Sequence, residues 1–443
     1  MTIADFNKDW VEYLVKNIKS IKLNGILSRM IKYMRDEATH IVQMAPIPLL
    51  IDEREFFDLQ KKGNLLKSAV MKMYCKERSE LDHETFLKEY AVPAELEFLV
   101  DWESLSRGFE DASRFDIIQD TNGQFFFIEF NVGSTVGGYQ SYPPLKSFMD
   151  EFDFPYRPAH SPAWMLMQRL ANVCRTQGIN KVVFFGDSLF ESAGYLSKGV
   201  YREVLESVLP GIEIVFVTET NIREHFSKGQ PIAMFNWMPL EYMDKHIDIF
   251  KEAKRCSVQI VSGIEANVLS NKKWVAKLHD EQNFPFLTAQ EIEAVQVSIP
   301  YSFILTQDNK SQVIAQKDKY IFKVTNSMGG DQIYVGKDKS VAFLDECLDL
   351  TSEWIVQELK ETVEIEIPVV GVRGLHKHKF VLGLFNHGEI SCGLDIRLSQ
   401  SSSIVNVTTG AISSVAFPTS EQDKLVYIEQ DKLQSLSMEA VAD

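Results

Sequence analysis

Cysteine is scarce in this sequence, and no two cysteines have the spacing of a zinc or disulfide motif. The chain has five cysteines among 443 residues: Cys75, Cys174, Cys256, Cys347 and Cys392. The odd number and wide scatter favour free thiols in a reducing compartment. Apolar runs of the roughly 18 residues that a membrane helix needs are also missing. Asp5, Lys8 and Asp9 interrupt the apolar core that a signal peptide would need. We therefore predict a cytoplasmic protein with no membrane partner.

Positive charge is in the minority. The chain has 46 Lys and Arg against 62 Asp and Glu, a formal net charge of −16 and a pI of about 5.1. This balance argues against a general nucleic-acid or anionic-membrane binder, although local basic sites for phosphates remain possible. A Gly-x-Gly-x-x-Gly fingerprint is absent, so a dinucleotide site is not expected. The composition, 45% hydrophobic and 24% charged, is that of an ordinary globular protein, and the length suits two or three domains.

A hairpin centred on Asn122-Gly123 is the strongest local signal in the chain. Asn-Gly between two apolar, β-rich runs favours a two-residue turn. Paired positions then keep a constant index sum, so Asp116 faces Glu129 and Arg114 faces Asn131. The strand period of two places these four side chains on one face of the hairpin. The other face is expected to carry Phe126, Ile128 and Phe130.

Two opposed carboxylates on neighbouring strands repel each other, at a cost of up to roughly 1 kcal/mol relative to a neutral pair. A positive group is therefore expected between Asp116 and Glu129. With the amide of Asn131 they offer hard oxygen ligands and no thiolate or imidazole, a set that suits Mg²⁺. Alternatively, Arg114 neutralises the pair in a salt-bridge cluster. The residues alone leave both interpretations open.

Hydrophobic periodicity divides the rest of the chain. Up to about residue 110, apolar residues recur every three or four positions, as in helices. Residues 41–51 are the exception, because their two prolines favour a loop or an edge strand. From about residue 160 to 265, helices alternate with short apolar strands such as Lys181–Gly186 and Glu213–Val217. This alternation predicts a parallel α/β sheet that is covered on both faces.

The last third of the chain carries a lysine on an apolar strand. Lys323 lies in Tyr320–Val324 and precedes a loop with Gly329 and Gly330. A point charge followed by flexible backbone donors suits a triphosphate. A hairpin loop with one exposed lysine fits the same pattern, and both interpretations stay open.

The hairpin also resembles a known family. Arg114-x-Asp116, a turn and Glu129-x-Asn131 before a glycine-containing loop resemble the Mg²⁺-binding hairpin of ATP-grasp ligases. In most of that superfamily the hairpin lies near the C-terminal end of the ATP-binding domain. Its early position here resembles the circularly permuted branch that includes glutathionylspermidine synthetase. The loop after Lys323 lacks the Arg-Glu-Gly of that branch, so polyamine and glutathione substrates are not implied.

The resemblance covers roughly residues 100 to 420 and implies an α/β (α+β) fold. Residues 1–110 would form an N-terminal helical region, and residues 111–160 the metal-binding hairpin and loop that complete a circularly permuted ATP-grasp domain. Residues 161–265 would form a preceding Rossmann-like parallel α/β domain. Residues 266–443 would form the nucleotide-binding lobes.

The same resemblance implies roles for individual residues. Three would hold Mg²⁺: Asp116, Glu129 and Asn131. Two would act on the reacting phosphate and acyl groups: Arg114 and Arg397. The ATP site would comprise Lys272, Lys273, Lys323, Gly329, Gly330, Gln357, Glu358 and Asn406. Which of the two adjacent lysines contacts ATP stays open.

The implied activity is that of an ATP- and Mg²⁺-dependent carboxylate–amine ligase. A small-molecule carboxylate would become an acyl phosphate with release of ADP, and an amine would then displace phosphate. Positioning and charge neutralisation supply most of such catalysis, so no catalytic triad is expected. Two alternatives remain: the acyl acceptor is a carrier-protein thiol or a peptide, or the chain binds nucleotide as a regulator without turnover.

Overall fold

In the computed structural model, the described residues are 1–17, 45, 48–102, 112–133, 136–142, 145–146, 161–186, 188–227, 229–238, 240–327, 332–369, 372–388, 390–400, 405, 411–425 and 428. The α-helices are α1 (Ile3–Asn17), α2 (Glu53–Glu80), α3 (His83–Glu89), α4 (Pro162–Gln177), α5 (Ser188–Val208), α6 (Leu240–Lys245), α7 (Ile247–Arg255), α8 (Ile264–Leu269), α9 (Lys273–Lys277), α10 (Ala289–Ser298), α11 (Gln307–Ala315) and α12 (Val341–Cys347). The strands are β1 (Leu49–Asp52), β2 (Ala112–Gln119), β3 (Phe125–Val132), β4 (Lys181–Phe185), β5 (Glu213–Val217), β6 (Ile232–Asn236), β7 (Gln259–Val261), β8 (Ser302–Ile304), β9 (Tyr320–Val324), β10 (Ile333–Val335), β11 (Trp354–Glu358), β12 (Glu364–Val369), β13 (Val372–His387), β14 (Ile390–Ser399) and β15 (Ile412–Thr419).

A large mixed sheet joins the hairpin to the C-terminal strands. Its order is β1-β15-β14-β13-β2-β3, and β12 pairs with the first half of β13. Among the pairings that the described residues form in this sheet, the β1–β15 pairing is parallel and the others are antiparallel. The pairing of β2 with β13 sets Asp116 opposite Gly383. The hairpin and the distant C-terminal segment therefore share one continuous surface.

One face of this sheet packs against the N-terminal helices. Phe115 meets Phe127 and Phe130 in edge-on contacts, with ring centroids 5.5 and 4.9 Å apart. Helix α2 crosses close to this cluster at Gly63, where a Cβ atom would lie 3.1 Å from the ring of Phe115. Strand β1 is the edge strand that residues 41–51 were predicted to contain as one of two alternatives, and all four of its residues are buried.

The hairpin turn is longer than the Asn-Gly signal predicts. Asp120 pairs with Gln124 across three loop residues, because the Asp120 carboxylate accepts hydrogen bonds from the backbone N–H groups of Asn122 (3.0 Å) and Gln124 (2.8 Å). Gly123 takes a positive φ of 87° at the end of this loop. The predicted two-residue turn is therefore wrong.

A bulge between Asp116 and Ile117 restores the predicted register farther along the hairpin. Beyond it, Asp116 faces Glu129 and Arg114 faces Asn131, as predicted. The extra residue on β3 shifts the side-chain alternation by one position. Phe126 and Ile128 consequently pack with Ile118 on the face that carries the charged residues, so their predicted placement is wrong, whereas the placement of Phe130 in the core is confirmed.

Residues 161–265 contain the predicted parallel sheet, in the order β5-β4-β6-β7. Successive β4 residues enter two different cores, Val182 and Phe184 on one face and Val183 and Phe185 on the other. Helix α4 begins where the Ser161 hydroxyl accepts a hydrogen bond from a backbone N–H of the first turn. The prediction of a sheet covered on both faces is confirmed.

The third sheet is antiparallel, with the order β10-β9-β11-β8. Its own small core contains Phe322, Trp354 and Val356. The register of β9, β11 and β8 sets Gln357 between Ile321 and Ser302, so that Gln357 and Lys323 share a face. Among the described helices, none is both long and apolar enough to span a membrane.

Candidate active site

A cleft of about 350 Å³ lies between the large mixed sheet and the antiparallel sheet. The mixed sheet contributes polar side chains of the hairpin and Arg397, and the antiparallel sheet contributes Lys323 and the end of β11. Ile118, Ile128 and Ile321 supply apolar walls. Concave sites with apolar walls and a few converging charges are the usual form of small-molecule sites.

Two arginines converge on Asp116 at one wall of this cleft. Arg114, on the same strand, donates two hydrogen bonds to the Asp116 carboxylate, with Nε 2.7 Å from Oδ1 and Nη2 3.2 Å from Oδ2. Arg397 approaches from β14, with Nη2 2.7 Å from Oδ1. Burial alone would raise the pKa of Asp116, but the charges of Arg114 and Arg397 outweigh it and lower this pKa to about 2. Asp116 is therefore ionised across the physiological pH range.

Asp395 is a further acidic member of this group, and the sequence analysis missed it. It lies on β14 opposite Gly383, which itself lies opposite Asp116. Burial raises the pKa of Asp395, although Arg397 and Arg114 act in the opposite direction. The signal that would have found it is Asp395-x-Arg397, which mirrors Arg114-x-Asp116 of the hairpin.

Lys272 and Lys273 are adjacent in sequence but belong to different environments. The Lys272 ammonium lies 3.2 Å from Oε1 of Glu129 and donates a hydrogen bond to the Ser327 carbonyl. The Lys273 ammonium instead pairs with Glu89 at 2.9 Å and Glu353 at 2.7 Å. The structure thus brings Lys272 to the hairpin carboxylates, whereas Lys273 ties the N-terminal helices to the antiparallel sheet.

Lys323 is held in place by a buried chain of hydrogen bonds. Its ammonium donates to Oε1 of Gln357 at 2.7 Å and to the Ile128 carbonyl at 3.1 Å. Gln357 in turn donates to the Ser302 hydroxyl at 3.0 Å. Burial lowers the pKa of Lys323 to about 8, with Lys272 acting in the same direction and Glu129 opposing it. Gln357 was predicted to belong to the ATP site, and its side chain here orients this lysine.

Of the other residues predicted to bind ATP or magnesium, two line the cleft and three lie outside the described residues. Glu358 and Asn131 line the cleft, and Glu358 pairs with Lys360 at 2.8 Å. The side-chain nitrogen of Asn131 is buried and hydrogen-bonds to no described residue. Three predicted residues lie outside the described residues: Gly329, Gly330 and Asn406.

The residues present are compatible with a magnesium ion. Within the described part of the chain, no three His, Cys, Asp or Glu side chains form a metal-binding group. Magnesium, however, is commonly bound by one or two carboxylates together with water and substrate phosphate oxygens. Asp116 and Glu129 line one wall with Asn131, whose amide oxygen would be the third protein ligand. The buried amide nitrogen of Asn131, which has no hydrogen-bond partner among the described residues, is a donor and would face an acceptor such as a phosphate oxygen rather than the cation.

Comparisons with known proteins define the class of fold. No family model matches the sequence, and no curated protein matches it. The structure is similar to that of a glutathione synthetase-like effector from Globodera pallida in its apo form, which matches with a TM-score of 0.59 and 13% identity over 91% of this chain and 99% of that chain.

At this level of identity the likeness shows the fold alone. It is consistent with the predicted ATP-grasp-related fold. The circular permutation, the domain boundaries and the roles of the individual residues stay predictions.

Proposed function

We propose that this protein is an ATP-dependent ligase of the circularly permuted ATP-grasp type that joins a carboxylate to an amine. A substrate carboxylate oxygen attacks the γ-phosphorus of ATP, the bond to the β,γ-bridging oxygen breaks, and ADP leaves. The amine then attacks the acyl carbon, the acyl–oxygen bond breaks, and inorganic phosphate leaves with the bonding electrons. The amine loses one proton to solvent or a base.

The observation that carries this proposal is the convergence of four cations on one end of the cleft. Arg114 and Arg397 meet at Asp116, Lys272 meets Glu129, and Lys323 lines the cleft from the antiparallel sheet. Phosphoryl transfer depends mainly on positioning and on neutralising phosphate charge, and these side chains supply both. Three of these cations have carboxylate partners, whereas Lys323 forms no ion pair among the described residues, and an anionic ligand in the cleft would supply one.

The fixed ammonium of Lys323 suits the α- and β-phosphates, and Lys272 suits an oxygen nearer the hairpin. Arg397 has the bidentate fork that suits the transferring phosphate. Arg114 would serve the acyl group, and Glu358 the ribose. Gly329, Gly330 and Asn406 are proposed to complete the phosphate site.

Magnesium would be held by Asp116, Glu129 and Asn131. When bound, it would offset the negative charge of the terminal phosphates. Asp116 is already ionised in the folded protein, because its pKa is lowered to about 2. No proton therefore has to leave Asp116 before a cation binds.

The product nucleotide provides the decisive experiment. Purified protein is incubated with ATP, Mg²⁺ and panels of carboxylates, with hydroxylamine as a general acceptor, and nucleotides are separated by chromatography. We expect ADP and phosphate in equal amounts, with a hydroxamate formed from the correct carboxylate. AMP and pyrophosphate as stoichiometric products would rule out the acyl-phosphate route.

A second candidate function is nucleotide binding without turnover. One observation favours it: Asp116 is paired with two arginines and Glu129 with Lys272, so both proposed metal-binding carboxylates already have protein counter-ions. The structural relative from Globodera pallida is described as an effector. Tight ATP binding with no ADP release across the full carboxylate panel would support this candidate over the ligase.

A further inference from the structure

Asp395 is a buried carboxylate that the proposed roles leave unused. Its exposed fraction is 0%, and no side chain among the described residues hydrogen-bonds to either carboxylate oxygen. The groups that favour its charged form are Arg397, Arg114 and the backbone N–H of Gly383. Buried carboxylates are normally paired or hydrogen-bonded to side chains, because an isolated buried charge is costly. A carboxylate that lies close to two arginines without a hydrogen bond to either therefore requires an explanation.

Gly383 brings Asp395 into contact with the arginine cluster. It lies between Asp116 on β2 and Asp395 on β14, in one row across three strands. A Cβ atom at this position would lie 2.1 Å from Oδ1 of Asp395 and 2.8 Å from Cδ of Arg114. Only glycine leaves space for the carboxylate and the arginine stem to meet above the backbone of β13.

The four charged side chains form a crossed arrangement around Gly383. Arg114 lies two residues before Asp116 on β2, and Asp395 lies two residues before Arg397 on β14. Each arginine thus has one carboxylate on its own strand and another across the glycine. In this structure both arginines pair with Asp116, and Nε of Arg397 has no hydrogen-bond partner.

Under the proposed function, on which this inference rests, Asp116 must also bind the cation that accompanies the nucleotide. We propose that Asp395 is a positioning residue, a reserve counter-ion that pairs with Arg114 and Arg397 when Asp116 turns toward that cation. Without Asp395, the two buried guanidinium groups would have only the negative charge of the bound nucleotide as their counter-ion at this step, and no protein carboxylate would hold them in position. Asp395 itself touches neither nucleotide nor cation.

The first test needs no nucleotide. Urea unfolding is followed for Asp395→Asn, Asp116→Asn and the double variant. Asp395→Asn should unfold at or above the wild-type midpoint, because it removes an unpartnered charge and keeps the shape. Asp116→Asn should lower the midpoint modestly, because Asp395 takes over the arginines. The double variant should lose more than the sum of the single changes. Additive changes, or an Asp395→Asn protein that does not fold, would overturn the proposal.

The second test is calorimetric titration with ATP in the presence of Mg²⁺ and, separately, of EDTA. Asp395→Asn should raise the Kd for ATP with Mg²⁺ by roughly tenfold, the usual scale for a residue that supports a metal ligand. The Kd in EDTA should stay at the wild-type value. Asp58→Asn, on the surface of α2, is the matched control for loss of a carboxylate. Equal affinities, or an equal loss in both conditions, would overturn the role of Asp395.

The two tests separate this inference from the proposed function. A wild-type protein that binds no ATP in either condition would refute the proposed function and, with it, the nucleotide-linked role of Asp395. If the wild type binds ATP but the changes in unfolding midpoint of the two single variants add up to that of the double variant, only the role of Asp395 is refuted.

Discussion

Lys323 offers the sharpest quantitative prediction, because burial destabilises its charged form and thereby lowers the free energy of unfolding by a measurable amount. Its pKa falls from 10.5 in the unfolded chain to about 8 in the folded protein. At about 1.4 kcal/mol for each pH unit, the folded state disfavours the ammonium by about 3 kcal/mol. This is an order-of-magnitude figure, and it is a large fraction of the 5–15 kcal/mol or so that typically separates folded from unfolded protein.

The direction of the pH dependence follows from proton binding. Between pH 8 and 10.5 the unfolded chain holds a proton on Lys323 that the folded protein has largely released. The free energy of unfolding therefore rises with pH across this window, and the cost is present in full below it. We expect Lys323→Met to remove this pH-dependent contribution, while Gln357 loses its hydrogen-bond donor at a cost of about 1–3 kcal/mol.

The measurement is urea unfolding at pH 7 and pH 10, followed by tryptophan fluorescence. The quantity of interest is the wild-type free energy of unfolding minus that of Lys323→Met, because contributions of other titrating groups cancel in the difference. This difference should increase by about 2–3 kcal/mol between the two pH values. Lys62→Met, on the surface of α2, controls for the loss of a lysine. A difference that does not change with pH would refute the reasoning.

Four further predictions concern the hairpin carboxylates, the adjacent lysines Lys272 and Lys273, and the titration of Lys323. Asp116→Ala and Glu129→Ala should each abolish ATP turnover, because each removes a proposed metal ligand. The circular dichroism spectrum should stay unchanged, because Asp395 remains near the two arginines and Lys272 keeps its hydrogen bond to the Ser327 carbonyl; wild-type activity at limiting Mg²⁺ in either variant would contradict this. Lys272→Ala should weaken ATP binding in calorimetry by tenfold or more, roughly the value of one charge-assisted hydrogen bond. Lys273→Ala should instead lower the unfolding midpoint with ATP affinity retained, because it removes the ion pair to Glu353 and leaves Glu89 with Lys277 alone. If Lys273→Ala weakened ATP binding and Lys272→Ala lowered only the unfolding midpoint, the two roles would be exchanged. ATP affinity of the wild type should fall roughly tenfold between pH 7 and pH 9 as Lys323 loses its proton, and affinity that is constant with pH would exclude Lys323 from the phosphate site.

The sequence predicts the opposed charged pair of the hairpin but not the path between the two strands. A two-residue turn sets Asp116 opposite Glu129, and the structure has this pairing. The actual route differs, because the Asp120 carboxylate closes a longer loop and a bulge compensates for the extra residue. The longer loop and the bulge offset each other in register for Arg114 and Asp116, whereas the bulge moves Phe126 and Ile128 to the opposite face. Strand alternation therefore predicts a shared face only where no bulge intervenes.

Long-range pairing explains what sequence reasoning missed. The side chain of Gln357 reaches Lys323 because β9 and β11 are neighbours in the antiparallel sheet, a fact that no local pattern contains. Asp395 enters the site for the same reason, since β13 brings Gly383 between two distant strands. Besides the Asp395-x-Arg397 pattern, Gly383 in the middle of an apolar strand was a second available signal, because such a glycine often marks the close approach of another group.

The pairing of these charges bears on how a nucleotide would bind. In this structure the cations of the cleft are partly neutralised by Asp116 and Glu129, so a triphosphate must compete with these carboxylates for the same side chains. If a triphosphate bound these cations without a divalent cation, the buried carboxylates would lose their counter-ions. Removal of one partner of a buried ion pair costs roughly 3–5 kcal/mol. A divalent cation that binds those carboxylates lifts this cost, because each charge in the exchange keeps a counter-ion. Nucleotide and divalent cation should therefore bind with positive coupling, and linkage requires that each raise the affinity for the other by the same factor.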